Sequence, residues 1–69
     1  MADYTRDELL EAKRQIDSTL HKLRETVKTL EAKGQPQQYK SQITLARRRI
    51  QAFTIAACLI ENELETNDS

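Results

Sequence analysis

The chain has 69 residues, with 11 Lys plus Arg against 11 Asp plus Glu, one Gly, one Pro and one Cys. A chain of this size makes one domain that buries only about 60% of the surface its unfolded form exposes, so its core needs a supplement. The single Cys58 excludes an internal disulfide, and one Cys with one His (His21) gives neither a metal site nor a grip on a cofactor. Association with another chain is the common device that remains.

A formal net charge of zero argues against a generally basic nucleic-acid binder, so nucleic acid is disfavoured as a partner. The longest uninterrupted apolar run, Ile55 to Ile60, is far too short to span a membrane. The opening Met-Ala-Asp-Tyr-Thr-Arg-Asp-Glu is polar and acidic, unlike a secretory signal. With a free thiol, this places the expected location in the cytoplasm.

Taken in chain order, the first element is a helix entered through a capping box. Thr5 and Glu8 have the required spacing, with Tyr4 and Leu9 at the positions of a hydrophobic staple. Asp7 and Glu8 suit the positive end of the helix dipole. Leu9, Ile16, Leu20, Leu23, Val27 and Leu30 then recur in steps of seven, four and three up to Lys33-Gly34, where the only glycine suits a left-handed helix end. Helix 1 is expected over about 6–33.

A polar connector, 34–38, follows, in which Pro36 can open a helix but cannot lie inside one. Helix 2 is expected over about 39–65, with Tyr39, Ile43, Ala46, Ile50, Phe53, Ala57, Ile60 and Leu64 on one stripe and a frayed tail, 66–69. So short a connector makes the helices antiparallel neighbours. The predicted fold is an all-α, two-helix antiparallel coiled-coil hairpin that assembles into a homodimeric four-helix bundle or larger oligomer.

In heptad terms Leu9, Ile16, Leu23 and Leu30 are d and Lys13, Leu20 and Val27 are a. On helix 2, Ile43, Ile50, Ala57 and Leu64 are a and the rest of the stripe is d. Setting a against d fixes the register: Leu30 with Ile43, Val27 with Ala46, Leu23 with Ile50, Leu20 with Phe53, Ile16 with Ala57, Lys13 with Ile60, and Leu9 with Leu64. Small faces large in several layers, as close packing requires. Lys13, the one polar intruder, can run its stem across Ile60 with its ammonium in water.

Helix 2 carries a second stripe. Leu45, Ala52 and Leu59 repeat every seven residues, and Ile55, Ala56 and Cys58 widen the belt. A helix that is apolar all round is buried all round, and one neighbour cannot do that. Leu45, Ala52, Ile55, Ala56 and Leu59 are therefore the expected oligomer interface, with two-fold symmetry as the default. The rival is a different helical protein laid in the same groove.

Other clusters read as structural. Lys40, Arg47, Arg48 and Arg49 are candidate contacts for an anionic partner, but three consecutive helical residues fan over about 200°. Arg47 and Arg49 flank the seam and would pair with acids on helix 1 or a second subunit. In the register above, Arg47 falls near Thr26, and Arg49 near Arg24 with Glu25 one step away. Asp17, His21 and Glu25 have the composition of an acid/base relay at i, i+4, i+8. With no nucleophile or pocket wall beside them they read as exposed intrahelical pairs. Cys58 reads as a small hydrophobe, and Tyr39 as a cover for the open end of the seam.

Arg14-Gln15-Ile16-Asp17 resembles the Arg-x-Ile-Asp pattern that opens the small, dimeric, all-helical chorismate mutases, over a single turn. That family uses further helices and a buried charged pocket, which two helices do not offer, so its activity is not carried over. The sequence thus points to a non-enzymatic, homo-oligomeric hairpin of bacterial type serving as a scaffold or protein-interaction module, with no catalytic, metal or cofactor site. The alternative is a small regulator that binds nucleic acid or an acidic partner through a basic band on helix 2.

Overall fold

The computed structural model describes residues 4–33 and 36–67, which form two α-helices, α1 (Arg6–Ala32) and α2 (Pro36–Asn67), packed as a hairpin. The entry to α1 follows from its sequence. Thr5 is extended (φ −74°, ψ 163°) and its Oγ1 accepts from the Glu8 amide at 3.1 Å, while the Thr5 amide donates to Glu8 Oε1 at 2.9 Å. The Leu9 amide then donates to the Thr5 carbonyl at 3.0 Å. Two amides that no helical carbonyl can reach are thereby satisfied. Tyr4, at the staple position, keeps 63% of its surface exposed.

At the far end Lys33 caps α1 in a right-handed conformation (φ −71°, ψ −10°), its amide donating back to the Leu30 carbonyl at 3.3 Å. The tighter i→i−3 bond is a usual way for a last turn to close. The left-handed role expected of Gly34 lies outside the described residues. Helix α2 begins at Pro36, three residues ahead of the expected Tyr39. A first-turn amide has no helical partner, so a residue without one loses nothing there. The helix also continues past Glu65 to Asn67, with Thr66 Oγ1 donating to the Asn62 carbonyl at 3.0 Å. Polar side chains weaken packing there but do not stop a helix that holds its own backbone bonds.

The core is the a/d seam. Leu9, Leu20, Val27, Leu30, Ala46 and Ala57 are buried, and Ile16, Leu23, Ile43, Ile50, Phe53, Ile60 and Leu64 are half-buried. The best-covered side chain, Leu20, still keeps 5% of its surface exposed. A single layer between two cylinders leaves every core residue an edge on solvent. Lys33 Nζ lies 5.2 Å from the ring centroid of the half-buried Tyr39, a cation–π contact at the connector end.

Two dimensions express how thin this core is. The molecule measures 49 × 17 × 15 Å, its long axis being the 32-residue α2 at about 1.5 Å per residue. Its radius of gyration is 15.4 Å, where a compact chain of 69 residues has about 11 Å. It exposes 5494 Å², against about 4,450 Å² for a typical folded monomer of 8.0 kDa.

Candidate interaction surface

The flanks of the seam carry the ion pairs between the helices. Lys13, half-buried opposite the end of α2, places its Nζ 2.8 Å from Asp17 Oδ2 and 3.2 Å from Glu61 Oε2. Contact with the neighbour of Ile60 is what a register pairing Lys13 with Ile60 produces. The ammonium is therefore held between two carboxylates, beyond the simple hydration expected of it. The Asp17 bond first, then Glu61, raises its pKa above the ordinary lysine value.

Arg47 bonds Glu31, not a group near Thr26 or Glu25. The reason is the lean of helical side chains toward their own N-terminus. In an antiparallel pair the two leans converge, so Arg47 reaches toward the connector and Glu31 reaches back to meet it. Spacing along the axis alone missed this partner; adding the lean to the same register would have found it.

Asp17, His21 and Glu25 form no chain of contacts. All three are exposed, Asp17 is engaged by Lys13, and among the described residues His21 and Glu25 make no hydrogen bond or ion pair. On the same outer surface Glu11 accepts from Gln15 at 2.8 Å and pairs with Arg14, and these bonds, Gln15 first, lower its pKa. Arg14, the first residue of the turn that resembles a chorismate mutase, is thus occupied on an open surface. Among the described residues no three of His, Cys, Asp and Glu converge to hold a metal.

The four basic residues of α2 divide into two sets. Lys40 and Arg47 line a shallow, open cleft with Glu31, Gln37, Ile43 and Thr44. Arg48 and Arg49 lie about 100° and 200° further round the helix from Arg47. Both are exposed, and among the described residues neither forms an ion pair. The cluster is therefore not one patch, and one of its cations is already neutralised by Glu31.

The outer face of α2 is the largest unexplained feature. Leu45 is 49% exposed, Ile55 53% and Leu59 63%, with Ala52 also exposed and Ala56 half-buried. At 100° per residue this stripe is centred about 135° from the seam. Helix α1 covers the one and leaves the other open. Cys58 is exposed rather than buried and points away from the centre of the stripe by about 115°. On α1 the apolar excess is Leu10, 43% exposed.

No helix is long and apolar enough to cross a membrane among the described residues. No family model, curated protein or solved structure matches the chain.

Proposed function

We propose that the protein is a non-enzymatic helical hairpin that associates with itself through the outer face of α2 and serves as a scaffold or protein-interaction module. The observation that carries this reading is the exposed row of Leu45, Ile55 and Leu59, continuous with Ala52 and Ala56, on a helix whose other side is already packed. Isolated exposed leucines are ordinary, whereas an apolar row along one helix face marks an interaction surface. The area supports it. The chain exposes about 1,000 Å² more than a compact monomer of its mass, and one side of a standard interface covers about 800 Å². Two hairpins joined in this way form a four-helix assembly with the α2 copies at its centre and the α1 copies outside.

Binding of an anionic partner through Lys40 and Arg47 to Arg49 is the weaker reading, because Glu31 takes up Arg47 and the others point in different directions.

Sedimentation velocity over a hundredfold range of concentration tests the proposal. The wild-type chain is expected to move from monomer to dimer or higher oligomer, and Leu45→Ser/Leu59→Ser to remain monomeric with its helix content kept. A wild-type chain that stays monomeric and folded at the highest concentration would overturn it.

A further inference from the structure

Beyond the fact of association, the polar residues on the outer face of α2 carry information about its direction. Along that face, Leu45 is followed by the exposed Arg48 and Arg49 on either side of the stripe's centre line, then Ala52, Ile55, Ala56 and Leu59, then the half-buried Glu63. Glu63 is five full turns from Leu45 and lies in line with it. The face is thus cationic on one side of its apolar centre and anionic on the other.

We propose that two copies pair antiparallel along this face, with the two-fold axis crossing α2 between Ile55 and Ala56, so that Arg48 and Arg49 of each copy meet Glu63 of the other. This rests on the self-association reading above. The apolar layers close well about that axis: Ala52 comes opposite Leu59 and Ala56 opposite Ile55, small against large in each case. Arg48 comes opposite Glu63, and Leu45 reaches the last turn of the other helix. Parallel pairing sets Arg48 against Arg48 and Glu63 against Glu63, and like charges across an interface oppose it.

Helix electrostatics favour the same direction. The last turns of α2 carry Glu63 and Glu65 and no basic residue, so carboxylates sit where the helix dipole is already negative. An antiparallel neighbour brings arginines to that end. Two-fold symmetry makes the benefit count twice in each dimer.

Sedimentation equilibrium of full-length charge variants tests the arrangement. Arg48→Glu and Glu63→Arg are each expected to weaken dimerisation about tenfold at low salt, since each reversal turns two attractions into two repulsions. Arg48→Glu/Glu63→Arg together should return the dimer to about wild-type strength, because the swapped charges still meet their opposites. In a parallel pair the double variant sets like against like at both sites and stays weak. A wild-type dimer that neither single reversal weakens, or that the double variant fails to restore, overturns the antiparallel arrangement and leaves self-association standing. A wild-type monomer overturns both.

Oxidative cross-linking on a Cys58→Ser background gives a second readout independent of charge. Ile55→Cys, beside the axis, should link two chains, and Leu45→Cys, far from it, should not. Efficient linkage through position 45 would overturn the proposal.

Discussion

Lys13 Nζ lies 3.2 Å from Glu61 Oε2 across the two helices, while its second bond, 2.8 Å to Asp17, stays within α1. One lysine at a seam position thus ties together the end of the hairpin remote from the connector. Its raised pKa makes its contribution depend on alkaline pH. A lysine whose folded value exceeds its unfolded one stabilises fully below the unfolded value, 10.5, and loses that stabilisation as pH rises through the folded value. Wild type should therefore lose urea resistance above about pH 10.5 more steeply than Lys13→Met. Parallel urea midpoints for the two chains that do not converge with rising pH would contradict this.

Leu20 and Leu45 are the same residue type in opposite circumstances, 5% and 49% exposed. Leu20→Ala should cost about 3 kcal/mol, the loss of a buried leucine with partial collapse of the cavity. Leu45→Ala, in a sample dilute enough to be monomeric, should change stability by less than about 0.5 kcal/mol. Chemical denaturation followed by circular dichroism measures both. The penalty of Leu45→Ala should grow with protein concentration, because association adds to apparent stability by mass action.

The capping box at Thr5 predicts a loss confined to one helix end. Thr5→Ala removes the acceptor for the Glu8 amide and should cost about 1 kcal/mol. Amide exchange should quicken in the first turn of α1 and hardly change around Val27, about six turns further along the same helix. Uniform quickening along the whole of α1 would show that the cap governs more than its own end.

Arg47 and Glu31 form an exposed pair, their side chains 61% and 48% accessible. Such pairs are worth less than about 1 kcal/mol. A double-mutant cycle with Arg47→Met and Glu31→Gln should give a coupling of a few tenths of a kcal/mol, roughly, that disappears in high salt. A coupling insensitive to salt would show that the contact does more than join two solvated charges.

The hairpin itself was legible because its determinants are local or periodic. Thr5 and Glu8 define the start of α1, and the a/d spacing from Leu9 to Leu64 selects the residues that lose solvent. Less legible were features set by reach and direction. Arg47 finds Glu31 through the lean of two long side chains, and Asp17 turns to Lys13 although His21 offers the same spacing on its other side. Pro36 could open a helix, but spacing alone did not require it to do so. The outer face of α2, with the angular positions of Arg48, Arg49 and Glu63 around it, was legible as well, since both follow from 100° per residue along one unbroken helix.

The antiparallel seam also ranks its contacts by the length of chain each one must close. Leu30 meets α2 across a short connector, whereas Leu9 packs only after almost the whole chain has been looped back. Loop-closure entropy rises with that length, so the hairpin should zip from the connector outward, and quickly, as chains rich in short-range contacts do. Opening should run in the reverse direction. The end that holds Lys13, Asp17 and Glu61 is then the last to form and the first to part, and its three charges act as a clasp on a zipper.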